Sequence, residues 1–194
     1  MEENPAEVVA GMLVDAASAG GDVVLTGGST PKLAYEIASR AGADWSNATV
    51  WFTDERCVPP ESGLSNFLMA NEALLGRLDR GVRPTVMRME GELGPDAHCA
   101  SLFPGKPELD ERSRLVTGVE LAGMEPQVPR VSLTLSALNS GRLTVFLVTG
   151  ADKAQAVARA FGATPDTSSP AAFVRPGAGE LLVVLDPAAA KELV

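Results

Sequence analysis

The chain has 194 residues, 45% of them hydrophobic and 21% charged. That composition excludes disordered and fibrous classes and supplies enough apolar mass for one core without disulfides or a structural metal. A formal net charge of −9 repels nucleic acid and anionic lipid, so neither nucleic acid nor membrane is an expected partner, whereas a small anion can still be held where a few cations converge. The two cysteines, Cys57 and Cys99, are far apart and lack metal-ligand spacing; they read as free thiols, and no metal site is expected. Met1 to Asp15 lacks the basic flank and apolar run of a signal peptide, and no later stretch reaches spanning length, which makes the cytoplasm the expected location.

In chain order, Pro5 to Ala19 carries Val8, Val9, Met12, Leu13 and Ala16 at helical spacing, and Gly20-Gly21 supplies a stop. Val23 to Thr26 is a short β-branched run, followed by the turn Gly27-Gly28-Ser29-Thr30 and a helix opened by Pro31. The strand, loop and helix pattern returns at Thr49 to Thr53 with a helix from Asn66 to Leu78. It returns again at Leu143 to Thr149 with a helix from Asp152 to Phe161. Leu181 to Leu185 forms a last strand before Asp186-Pro187 and a short helix ending near Leu193. Val86 to Met89 and Val131 to Leu135 are shorter strand candidates, and Gly123 to Pro129 and Ala163 to Gly179 read as surface loops. Near-continuous apolar strands alternating with helices predict a three-layer, Rossmann-like α/β fold, with a mainly parallel sheet covered on both faces, in one domain over 1–194.

In open parallel sheets, ligands bind beyond the carboxyl ends of the strands. After Thr26, Gly27 and Gly28 allow close approach to the backbone, and the free amides of the next helix can hold an anion; a plain tight turn is the alternative. The dinucleotide and P-loop spacings are absent. After Thr53, Asp54-Glu55-Arg56 places three charges at the expected crevice or in a solvated loop. After Thr149, Lys153 falls in a first helical turn, as Lys32 does earlier. There a cation opposes the helix dipole by about 0.3 to 1 kcal/mol unless an anion sits at the helix start. The only histidine, His98, follows Asp96 by two residues and precedes an apolar stretch closed by Pro104-Gly105. Imidazole titrates near neutrality, which makes His98 a candidate general base, with an ordinary surface or core histidine as the alternative.

These motifs occur together in order: Leu25-Thr26-Gly27-Gly28-Ser29-Thr30-Pro31, Phe52-Thr53-Asp54-Glu55-Arg56-Cys57-Val58-Pro59, Ser65-Asn66, and His98 with Ala100-Ser101-Leu102-Phe103-Pro104-Gly105. Pro129-Arg130-Val131-Ser132-Leu133-Thr134-Leu135 and Gly150-Ala151-Asp152-Lys153 follow. The set resembles the 6-phosphogluconolactonases, a family within the larger sugar-phosphate isomerase and deaminase superfamily. The resemblance implies a hydrolase of carbohydrate metabolism that opens 6-phosphoglucono-δ-lactone to 6-phosphogluconate in the pentose phosphate pathway, with no cofactor. The implied partner is a small phosphorylated sugar lactone, and the chain would act as a monomer or weak homo-oligomer. By position, His98 would activate water, and Asp54 and Asp96 would orient it or the substrate. Arg56, Arg130 and Lys153, with the loop Gly27, Gly28, Ser29 and Thr30, would hold phosphate and sugar oxygens.

The chain also departs from the family pattern. Leu93 runs straight into Gly94-Pro95-Asp96, where, against the family pattern, a strand-and-helix unit of about 30 or more residues is missing by the usual size of such units. Ala97 stands where the family has glycine, and Cys99 where it has threonine. Loss of a central strand exposes neighbouring edges; a shift of Val86 to Met89 into the vacated slot would restore the sheet. Two alternatives stay open: a shortened, non-catalytic sugar-phosphate binder, or a sugar-phosphate isomerase or deaminase on the same fold.

Overall fold

The computed structural model describes residues 4–59, 61–88, 100–120, 125–164, 166 and 168–193. Helix α1 (Pro5–Ala19) has the limits its apolar spacing predicts. The Asn4 side chain accepts from the Ala6 N–H at 3.0 Å, Pro5 fits the first turn, and Gly20 ends the helix. The elements that follow are β1 (Gly21–Leu25), α2 (Ser29–Ala38), β2 (Ala48–Phe52), β3 (Asp54–Arg56), α3 (Asn66–Ala73) and β4 (Thr85–Val86). After them come β5 (Val116–Val119), β6 (Arg130–Leu133), α4 (Leu135–Leu138), β7 (Leu143–Val148), α5 (Ala154–Phe161) and β8 (Glu180–Leu185).

The α/β class is the expected one, but among the described residues the strands form separate sheets. β1, β2 and β4 form one parallel sheet in that order, and β7 and β8 form a second parallel pair. Helix α1 spans the two, packing on β1, β2, β7 and β8. Val9 and Ala10 of α1 join Val23, Leu25, Val50 and Phe52 in the main core, and Val145, Leu147 and Val184 pack against it. Side chains alternate across a strand, so Phe146 lies on the other face of β7, where with Leu181 it packs against buried Leu102, Leu135 and Val174. Phe146 also meets Phe161 of α5 edge to face at 5.0 Å, so helices flank both faces of β7.

Val86 does not fill the vacated slot. β4 pairs with the far edge of β2 in parallel register, Val50 opposite Val86; it ends there, and Met89, the last residue of the expected strand, lies outside the described residues. Among the described residues β1 therefore has a strand neighbour on one side only, as does β7. On the sheet face opposite the main core, Val24 is 47% exposed and Trp51 38% exposed. Trp51 partly compensates by donating its Nε1–H to Asp22 Oδ1 across the strands at 2.6 Å.

A third, antiparallel sheet has the order β3, β6, β5, with Asp54 opposite Ser132 and Thr117 opposite the same residue from the other side. The expected strand Val131 to Leu135 belongs to it, one residue earlier in its start and two in its end. Thr134 stops it by capping α4, its hydroxyl accepting from the Ala137 N–H at 3.3 Å. The helix expected through Leu78 ends at Ala73, and a 3-10 turn covers Leu75–Arg77. After β8 the chain makes hydrogen-bonded turns in place of the expected terminal helix, with the Asp186 carboxylate accepting from the Ala189 N–H at 2.7 Å.

Candidate functional site

The carboxyl ends of β1 and β2 carry a buried polar cluster. Thr53, directly after β2, joins two sheets: its N–H donates to Leu25 O of β1, and its carbonyl accepts from the Leu133 N–H of β6, both at 2.8 Å. The chain then enters β3, which delivers Asp54, Glu55 and Arg56. Asp54 is buried, and both carboxylate oxygens are engaged. Oδ1 accepts from Asn66 Nδ2 and Thr53 Oγ1, each at 3.1 Å; Oδ2 accepts from Ser101 Oγ at 2.7 Å and lies 3.9 Å from Arg130 Nη1. Arg130 has no solvent exposure, and its Nη1 also donates to Ser101 Oγ at 3.4 Å. A charge at this depth is tolerated because an opposite charge answers it, and here the Asp54 carboxylate lies beside the Arg130 guanidinium.

Glu55 points to the other side of β3 and anchors α3. Its carboxylate accepts from the backbone N–H groups of Asn66 and Phe67 and, through Oε1, from that of Arg56, all at 2.7 Å, and from Ser65 Oγ at 3.1 Å. An anion at a helix start satisfies amides that have no partner within the helix and complements the dipole. Asn66, thus fixed, also donates to Asp54 O at 3.0 Å. Its side chain fills the space where a Cβ on Gly27 would stand, only 1.8 Å from Asn66 Oδ1, so glycine is required at 27 by close approach. Gly28 is required for its backbone, with φ of 109°.

The phenol of Tyr35 closes the cluster from α2. Its hydroxyl accepts from the Thr26 N–H and donates to Thr26 O, both at 2.9 Å, fixing the end of β1 just before the glycine turn. Burial pushes the Tyr35 hydroxyl pKa well above its ordinary value, the hydrogen bond from the Thr26 backbone lowers it less, and the charge of Asp54 raises it further, so the proton stays on. Helix α2 opens at Ser29 without a side-chain cap on its first amides.

Of the residues expected to form a site, Gly27, Gly28, Ser29, Thr30, Asp54, Arg56 and Arg130 thus lie on neighbouring elements around one cluster. Arg56 is half-buried and donates from Nη1 to Leu64 O at 2.8 Å. Arg130, expected to reach the substrate, is fully buried beside Asp54 and Ser101. Lys153 lies at the carboxyl end of β7, about half-exposed and paired with Asp152, whose carboxyl it holds below the usual carboxylate range. It lines a cavity of about 300 Å³ walled by Pro104, Phe146, Val148, Val157 and Ser169. One segment joins the two places: Ser101 sits in the buried cluster, Leu102 and Phe103 are buried in apolar clusters, and Pro104 forms cavity wall. His98 and Asp96 lie outside the described residues.

Sequence reasoning did not single out Ser101, Ser132, Tyr35 or Glu55 as functional. The order of charges at Asp54-Glu55-Arg56 was visible, but the burial of Asp54 and Glu55 on opposite sides of the strand depends on strand pairing. No three His, Cys, Asp or Glu side chains cluster to hold a metal ion among the described residues. No helix among them is long and apolar enough to cross a membrane.

The family model for glucosamine-6-phosphate isomerases and 6-phosphogluconolactonase matches residues 2–93 and 91–183. A 6-phosphogluconolactonase of Nostoc sp. is 34% identical, the match covering 88% of this chain and 84% of that one. Another, of Streptomyces coelicolor, is 33% identical over 226 residues, with 93% and 86% covered. That matched length exceeds the 194 residues present here, so the relative carries residues within the matched region that this chain lacks. The family match divides at residues 91–93, beside the missing unit read from the sequence. Among solved structures, the 6-phosphogluconolactonase of Thermotoga maritima superposes with a TM-score of 0.73 at 28% identity, covering 96% of this chain and 97% of that one. The one from Leishmania guyanensis reaches 0.81 at 22% identity, with 99% and 97% covered, and supports the fold. The chain belongs to the family of glucosamine-6-phosphate isomerases and 6-phosphogluconolactonases.

Proposed function

We propose that this chain hydrolyses 6-phosphoglucono-δ-lactone to 6-phosphogluconate. The observation that carries this reading is the convergence of the glycine turn at 27–30, Asp54, Arg56 and the Ser101 segment around the ends of β1 and β2. Relatives above 30% identity are named for lactone hydrolysis, which favours that reaction over isomerisation or deamination.

Lactone opening needs an anionic handle held, a water placed against the carbonyl carbon, and one proton moved. The first amides of α2, with Arg56, and Lys153 at its own cavity are the groups assigned to the handle, because backbone N–H groups at a helix start and ammonium or guanidinium groups each answer phosphate charge. Lys153 is suited to this because its partner Asp152 is exposed and exchanges readily with an arriving anion. His98 is the base: it takes a proton from the attacking water as the C–O bond forms, and the ring oxygen that leaves the carbonyl carbon takes up a proton in turn. Asp96 orients the imidazole. Asp54 acts from beneath, with Arg130 as its buried countercharge in place of a direct substrate contact.

A panel of phosphorylated sugars tests the reading. The expected result is turnover of the lactone, followed as acid release, with none of an amino-sugar phosphate or a pentose phosphate. Binding of 6-phosphogluconate without lactone turnover would replace it with the non-catalytic reading.

A further inference from the structure

Ser101 is fully buried and fixed on three sides. Its N–H donates to Ser132 Oγ at 2.9 Å, its hydroxyl donates to Asp54 Oδ2 at 2.7 Å, and Arg130 Nη1 donates to it at 3.4 Å. The residue before it, Ala100, is buried with φ of 54°, the only non-glycine at positive φ among the described residues. Alanine avoids that region because its Cβ crowds the backbone, so the conformation persists only where the surroundings impose it. The imposing contacts are those of Ser101, together with Leu102, fully buried against Leu135 and Val174.

We propose that Ser101 is a positioning residue for the lactonase reaction: its latch to β3 and β6 holds in the left-handed turn Ala100, which follows His98 by two residues in the sequence, and so anchors the segment that carries the histidine. A side chain carried on a short segment is only as well aimed as the segment's anchor. Asp54 contributes to the reaction through this latch, since both its oxygens are occupied by protein donors. The inference rests on the lactonase reading, and one of its tests does not.

The test uses Ser101→Ala in the full chain, with Thr134→Ala as a control that removes a buried hydroxyl from the cap of α4 without touching the latch. The positioning role predicts that kcat falls at least tenfold in Ser101→Ala with KM within twofold, while Thr134→Ala keeps the wild-type kcat. Because the chain has a single histidine, its imidazole ring protons give one set of NMR signals, and these shift in position and pH midpoint in Ser101→Ala but not in Thr134→Ala. Ser132→Ala, which removes the acceptor of the Ser101 N–H from the β6 side, gives the same pattern and replaces Ser101→Ala if that variant does not fold. A lowered melting temperature with unchanged kcat and unchanged imidazole signals would overturn the proposal. Wild-type turnover judges the lactonase reading alone, and the imidazole signals judge Ser101 whether or not turnover is seen.

Discussion

Replacing Glu55 by alanine removes the acceptor that ties α3 to β3. The carboxylate is buried and receives the backbone N–H groups of Arg56, Asn66 and Phe67 and the Ser65 hydroxyl. Each hydrogen bond to a charged group contributes about 1.5 to 3 kcal/mol, and a buried donor left without an acceptor costs about 1 to 3 kcal/mol. These contributions overlap because Ser65 and water take over some donors, so a loss of about 3 to 5 kcal/mol is expected, the scale of breaking a buried charged contact. For a domain near this size each kcal/mol shifts Tm by about 2 to 4 °C, which gives a fall of about 6 to 20 °C. Glu55→Gln, which keeps one acceptor oxygen, should fall between alanine and wild type. Thermal unfolding followed by circular dichroism measures all three. A Glu55→Ala protein melting within 2 °C of wild type would refute the assignment of Glu55 as the anchor of α3.

Gly27→Ala drives a methyl into Asn66 and displaces it from Asp54; overpacking costs about 1 to 3 kcal/mol, and both a lower Tm and at least a tenfold loss of kcat/KM are expected in steady-state assays. Lys153→Ala should raise KM for the lactone about tenfold, as loss of one partly exposed charge-assisted contact of roughly 1.4 kcal/mol predicts, with kcat little changed; Asp152→Asn should lower KM, since it frees the ammonium. The side-chain and backbone hydrogen bonds from Ser113, followed by those from Arg114, hold the Glu111 carboxyl at about 2, below its ordinary 4.5. A depressed folded-state value means that the stabilisation is complete above the unfolded value and disappears as pH falls from about 4.5 through about 2. Urea midpoints measured against pH should therefore converge for wild type and Glu111→Gln at the acid end and separate above it.

The repeating strand and helix units were legible because their apolar residues recur at the right periods: α1 has its predicted limits, and β1, β2, β7 and β8 fall within a residue or two of theirs. The antiparallel sheet was not legible. Its strand β3 is Asp54-Glu55-Arg56, three charged residues that hydropathy reads as a loop. They form a strand by pairing with β6, and Asn66, Ser101 and Arg130, all distant in sequence, answer the buried charge of Asp54. The burial of Arg130 was likewise not legible, since its placement opposite Arg56 across β3 and β6, and beside Asp54, depends on strand pairing. The departure from the family pattern at Leu93-Gly94 was visible in the sequence, but the separation of β1, β2 and β4 from β7 and β8 among the described residues, and the exposed Val24 and Trp51, required the fold.

The central claim is that a family member missing an internal strand-and-helix unit still opens the lactone with His98 as its base. The most direct measurement is kcat/KM for 6-phosphoglucono-δ-lactone in wild type and His98→Ala, against the spontaneous rate in the same buffer. Loss of a general base removes about 10²- to 10⁴-fold, so wild type should exceed the spontaneous rate and the variant should fall by at least a hundredfold while retaining its wild-type Tm. Equal rates for the two proteins, or a wild type no faster than buffer, would contradict the account.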